Sequence, residues 1–183
     1  MLPTVTKEVP IKLLVIAGSS SKKSINKQLA LFATQNFIGA EMEFLDINDF
    51  EMPIFSVDRE VQLGPQEKAK LFLEKIRLCD FIVISLAEHN GSYSAAFKNV
   101  LDWSSRINGK LFQSKPMLLM ATSPGARGGK NVLNAATMQF PFLGADIKAS
   151  FSLPSFEKNF EAGKGITNEE FKNQLLGIIR TLN

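Results

Sequence analysis

The stretch Leu13-Leu14-Val15-Ile16-Ala17-Gly18, running into Ser19-Ser20-Ser21-Lys22-Lys23-Ser24-Ile25-Asn26, decides the fold class. Its apolar run is continuous rather than alternating. That marks a strand buried on both faces, as in parallel sheets covered by helices. Hydroxyl-bearing residues follow, and then Ile25, Leu29, Phe32, Ala33 and Phe37 recur at helical spacing up to Gly39. The same unit repeats downstream. Glu41 to Ile47 reads as an alternating strand, 48–64 as a long loop with Pro53 and Gly64, and Glu67 to Leu78 as a helix with Phe72, Leu73 and Ile76 inward. Phe81 to Leu86 is the most apolar strand, and the loop 87–93 leads into a helix at about 94–107. Pro116 to Thr122 is a fourth strand, and the glycine-rich loop 123–129 opens a helix at about 130–140. A short strand, Asp146 to Phe151, precedes an irregular stretch to Ile166, and the capping-box pattern Thr167-Asn168-Glu169-Glu170 starts a final helix.

Strict strand–helix alternation with buried strands predicts an α/β fold: a doubly wound, five-stranded parallel sheet of order 2-1-3-4-5, flavodoxin-like, with helices on both faces. Residues 1–10, with Pro3 and Pro10, read as a loose tail, and 11–183 as a single domain. With 183 residues, 45% apolar and 21% charged, the chain is long enough for one sizeable core and too apolar for disorder. Lys plus Arg is 21 against 18 for Asp plus Glu, so a surplus of three charges gives a weak field and no case for nucleic acid. Cys79 stands alone, which precludes an internal disulfide and a cysteine zinc site, and reads as a small core or edge residue. No apolar run approaches the ~20 residues of a membrane span. Ile11 to Ala17 is too short, and too charged upstream, for a signal peptide, so the expected address is cytoplasmic.

In such sheets ligands sit beyond the carboxyl ends of the strands, where strand order reverses. Three unusual loops should meet there. Ser19, Ser21, Ser24 and Asn26, with Lys22, Lys23 and Ile25, place hydroxyls, an amide and charge at a helix start. Free N–H groups there suit a phosphate, and an ordinary serine cap with solvated lysines fits the same residues. Ala87-Glu88-His89-Asn90-Gly91 can present backbone N–H groups to the polar edge of a planar heterocycle, and His89 is the only histidine. Ser123-Pro124-Gly125, followed by Gly128 and Gly129, can pass tightly against a flat ligand or form a flexible turn.

The combination is more specific than its parts. A Gly-Ser-x-x-x-x-Ser-x-Asn loop, a Glu-x-Asn-Gly-Ser loop running into Phe-Lys-Asn-x-Leu-Asp-Trp, and a Ser-Pro-Gly-x-x-Gly-Gly loop each follow the expected strand. This resembles the NADPH-dependent FMN reductase family, which includes azoreductases, quinone reductases and chromate-reducing flavoproteins. Met52-Pro53-Ile54-Phe55 also resembles that family's proline-containing loop after strand two.

The resemblance implies that Ser19, Ser24 and Asn26 hold the FMN phosphate. Glu88, His89, Asn90 and Gly91 would line the isoalloxazine, with Ser123 and the glycines after it closing the other side. It further implies hydride transfer from NADPH or NADH to FMN and then to a small-molecule acceptor, by ping-pong kinetics and without a protein acid–base triad. The family often has Arg at Ser21, Pro at Ala87, Tyr at His89 and Pro at Ser94, so Lys22 or Lys23 would have to supply the phosphate's counter-charge. The other functions compatible with the sequence are an FMN-binding electron carrier and a non-catalytic module. On the 94–107 helix, Phe97, Val100, Leu101 and Ser104 should face the sheet. Asn99, Asp102, Trp103 and Arg106 should face away, either offering a surface for a homodimer or homotetramer or, for Trp103, packing under a loop of its own chain.

Overall fold

A computed structural model describes residues 10–182, so all but Pro10 of the expected tail lies outside the described residues. The main elements are β1 (Lys12–Gly18), α1 (Ile25–Thr34), β2 (Glu41–Leu45), α2 (Val57–Leu63), α3 (Glu67–Leu78) and β3 (Phe81–Leu86). A two-residue-stranded hairpin follows, β4 (Glu88–His89) and β5 (Ser92–Tyr93), and then α4 (Ala95–Ile107), β6 (Pro116–Thr122), α5 (Lys130–Gln139) and β7 (Asp146–Leu153). The chain continues through α6 (Phe156–Asn159) and a second small hairpin, β8 (Phe160–Glu161) with β9 (Gly165–Ile166), to α7 (Glu169–Leu182).

The five long strands form one sheet of order β2-β1-β3-β6-β7, all parallel. Once the hairpin strands are set aside, this is the predicted 2-1-3-4-5 order. The central strands β3 and β6 are buried almost throughout, because both sheet faces are covered. Leu14, Ile16, Ile82, Ile84 and Leu119 point to the side of α3, α4 and α5, where Phe72, Phe97, Phe112 and Phe140 fill the core. Their neighbours Leu13, Val15, Val83 and Leu118 point to the side of α1 and α7, against Leu29, Ala33, Leu175 and Ile179.

Four boundaries move, each for a local reason. β2 stops at Leu45 rather than Ile47, because the Asp46 carboxylate accepts the N–H of Asn48 and starts a 3-10 turn over Ile47–Phe50. α1 ends at Thr34, and a turn leading to Gly39, at φ 69°, carries Phe37 into the core. The final helix is capped by Asn168 rather than Thr167: its Oδ1 accepts the N–H groups of Glu170 and Phe171. β7 runs on to Leu153.

The larger correction concerns 48–64 and the face of α4 that it covers. This segment contains α2, capped by Ser56 at its start and by Gly64 with positive φ at its end. It folds back over α4. Trp103 is therefore 1% exposed, its Nε1–H donates to Pro53 O at 2.7 Å, and its ring meets Phe55 edge-to-face. Asn99 works beside it: its Nδ2 donates to Met52 O and Pro53 O, and its Oδ1 accepts the N–H of Phe55. The Arg106–Glu60 pair ties α2 to the same helix. Trp103 is thus an intramolecular anchor, not part of a partner surface.

Cys79 is buried at the amino edge of the sheet, and burial pushes its thiol up to about 11. The thiol should resist alkylation at pH 8 until the protein is unfolded, which a titration with and without denaturant would read. Because the folded pKa lies above the usual 9.0, its contribution to stability is complete below about pH 9 and declines towards 11 as the unfolded thiol ionises. Trp103→Phe removes the bond to Pro53 and should lower stability by about 1–2 kcal/mol in denaturant titrations.

Candidate functional site

The carboxyl ends of β1, β3 and β6 carry the three unusual loops, so the fold brings the predicted residues to one rim. The first loop, 18–24, turns into α1. Ser24 is the cap of that helix, its Oγ accepting the N–H of Lys27 at 3.1 Å. Ser19 lies almost buried, and its Oγ accepts the N–H of Ser21. The N–H groups of Ile25 and Asn26, in the first helical turn, have no carbonyl of their own helix to meet. A cavity of about 140 Å³ lies beside this loop, lined by Ser19, Ser21, Lys22, Ser24 and Lys27 together with Phe44, Asp46 and Asn48.

Asn26 does something the sequence did not suggest. Its side chain is buried and turned inward: Nδ2 donates to Thr122 O, while Oδ1 accepts the Ser85 hydroxyl at 2.7 Å and the Thr122 N–H at 3.0 Å. The amide thus joins α1 to β3 and β6. Only its backbone N–H faces the helix start.

In the second loop, Asn90 and Gly91 have φ of 51° and 78° and form the two-residue turn of the β4–β5 hairpin. Asn-Gly is a strong signal for such a turn, since both central residues need positive φ. Ala87 is buried, while His89 and Asn90 are exposed at the rim. The Glu88 carboxylate accepts the N–H groups of Asn131 and Val132 at 3.0 and 3.1 Å, with the Asn131 side-chain amide beside them. It caps α5, whose own cap position is Gly129 and supplies no side chain. Ser94 joins the first two loops, donating to Gly18 O and accepting the N–H of Phe97.

In the third loop the glycines divide. At Gly128 a Cβ would lie 2.5 Å from Ser152 Oγ and 2.8 Å from Pro154 N, and at Gly129 it would lie 2.9 Å from Ala121 Cβ. Both are required by the chain's own packing. Gly125 alone is open towards the rim, with Ser123 Oγ at 3.9 Å and Pro124 exposed beside it. Ser123 is half-buried and its Oγ donates to Gly125 O.

A profile of the NADPH-dependent FMN reductase family matches residues 11–157. The chain belongs to that family. It is 28% identical over 179 residues to an NADPH:quinone oxidoreductase of Arabidopsis thaliana, covering 94% of this chain and 90% of the relative. It is 31% identical over 130 residues to a quinone reductase of Pseudomonas putida, covering 70% and 69%. The flavoenzyme FerB of Paracoccus denitrificans, an NAD(P)H:(acceptor) oxidoreductase, superposes with a TM-score of 0.74 over 93% of this chain and 94% of its own, at 24% identity. FMN and NAD(P)H are the cofactor and co-substrate of this family, as expected from the sequence. A phosphate fits what the rim offers: free N–H groups at the start of α1, hydroxyls at Ser19 and Ser21, and a small cavity lined by Lys22 and Lys27 as well as by Asp46.

Asn99, Asn131 and Trp103 were not read as site-shaping from the sequence. Asn26→Ala would leave the Ser85 hydroxyl and both backbone groups of Thr122 without partners. It should cost roughly 2–4 kcal/mol in chemical denaturation, well above a surface substitution.

Proposed function

We propose that the chain is an NAD(P)H-dependent FMN oxidoreductase whose acceptor is a small quinone, working by ping-pong turnover. The observation that carries this reading is the rim itself. Three loops, clamped by Asn26, Glu88 and Ser94, surround one helix N-terminus in a chain of this family. The quinone is supported by the names of the relatives.

When bound, FMN supplies the two-electron chemistry, accepting hydride from the nicotinamide and passing reducing equivalents to the acceptor. The protein's part is binding and orientation. The first-turn N–H groups and the hydroxyls of Ser19 and Ser21 take the phosphate. Ser24 acts mainly as helix cap, and Asn26 through its backbone. The exposed backbone of 89–91 and of 123–125 receives the two sides of the ring, with His89, Asn90 and Gly91 at one edge and Ser123, Pro124 and Gly125 at the other. Glu88 holds the second loop in place through α5. The chain has no second nucleotide-binding domain among its described residues, so nicotinamide and acceptor use the same ring face in turn.

We also infer a homodimer that covers the apolar side chains of Ile54, Val57 and Val61. They stand 75%, 66% and 83% exposed on the segment strapped to α4. This moves the expected contact from Trp103 to the segment lying over it. A nicotinamide co-substrate supports a cytoplasmic address, and among the described residues no helix is long and apolar enough to cross a membrane.

Under anaerobic conditions, protein loaded with one equivalent of FMN should consume a single equivalent of NADPH or NADH on its own, and should turn over continuously only after a quinone such as benzoquinone is added. Double-reciprocal plots at several quinone concentrations should be parallel. Tight FMN binding without any nicotinamide consumption would make the protein an electron carrier instead. Ser19→Ala should weaken FMN binding by about tenfold while leaving riboflavin binding unchanged, as flavin fluorescence titration would report.

A further inference from the structure

We propose that Lys27, in the first turn of α1, is the cation that pairs with the FMN phosphate in this chain. The proposal rests on the placement of that phosphate over loop 18–26. Neither lysine that the sequence suggested is as well set. Lys23 is exposed and does not line the cavity, and Lys22 lines it from an exposed turn whose side chain must be ordered on binding.

Lys27 lines the same cavity from a helix and is already held. Its Nζ sits 4.3 Å from the centroid of the Phe44 ring and 3.8 Å from Asp46 Oδ2, and its side chain is 37% exposed. A cation fixed in advance loses less freedom when an anion arrives.

Asp46 makes the case stronger. Its carboxylate forms part of the cavity wall and accepts two hydrogen bonds from Asn48, which hold its pKa below the usual value. It therefore stays ionised at neutral pH. A phosphate entering that cavity would be repelled by the carboxylate, and Lys27, whose Nζ stands 3.8 Å from it on the same wall, offsets that repulsion. The contact with Asp46, largely open to water, is weak enough to be shared with a dianion.

The test compares FMN with riboflavin, which lacks the phosphate, by fluorescence titration of wild type, Lys27→Met, Lys22→Met and Lys27→Arg. Wild type should prefer FMN strongly. Lys27→Met should lose roughly 10- to 100-fold in FMN affinity with riboflavin unchanged, a loss expected of a charge-assisted bond. Lys27→Arg should restore most of it, and Lys22→Met should lose clearly less than Lys27→Met. A Lys27→Met protein that keeps its preference for FMN, or a larger loss in Lys22→Met, overturns the assignment while leaving the cradle intact. A wild type that binds FMN no better than riboflavin overturns the phosphate placement itself, and this assignment with it.

Discussion

The rim depends on one buried amide. Asn26 lies 59 positions from Ser85 and 96 from Thr122 in sequence, yet it binds both. The carboxyl ends of β1, β3 and β6 would otherwise finish as three separate loops over a sheet whose neighbouring connections diverge at this point. The amide's carbonyl takes two donors and its NH2 group returns one bond, away from water, where each bond is strong and each vacancy costly. Thr122 extends the tie outward, its hydroxyl donating to Leu153 O on the edge strand β7. The start of α1, and with it the first-turn N–H groups, is held over the sheet by these bonds.

The other polar side chains near the rim follow the same logic. Glu88 caps α5, Ser94 binds Gly18, and Asn99 with Trp103 fixes the segment 52–55. Side chains that look like ligand groups serve instead to hold loops. What remains for a ligand is backbone, two serine hydroxyls and lysines. This suits a cofactor that performs its own chemistry, because the protein's contribution is then a rigid and correctly shaped seat.

Much of this was legible. The uninterrupted apolar strands Leu13–Ala17 and Phe81–Leu86 left little choice but a covered parallel sheet, and the three loops fell after the strands they were assigned to. What escaped had two causes. α2 is seven residues long and buries no side chain in the core; its short apolar stripe, Val57 and Val61, faces outward, so beyond it only the Ser56 and Gly64 caps mark the helix. Without it the Trp103 face looked bare. The roles of Asn26 and Glu88 depend on partners 43 to 96 positions away, and spacing within a motif says nothing about such partners. Gly128 and Gly129 show the converse: glycines in a ligand-like pattern whose need for small size arises from Ser152, Pro154 and Ala121.

The charge distribution follows from the same arrangement. Overall the excess is only three positive charges. At the rim, however, the two nearest carboxylates are already engaged, Glu88 by the N–H groups opening α5 and Asp46 by Asn48. The charge of Glu88 is compensated by those N–H dipoles and that of Asp46 by Asn48 together with Lys27, while Lys22, Lys23, Arg127 and Lys130 stay exposed around the loops. An anionic cofactor and an anionic dinucleotide can then be received in succession at one edge of a protein with little net field. Compensation of carboxylates by backbone N–H groups is local and hardly screened by salt, whereas attraction by exposed lysines is.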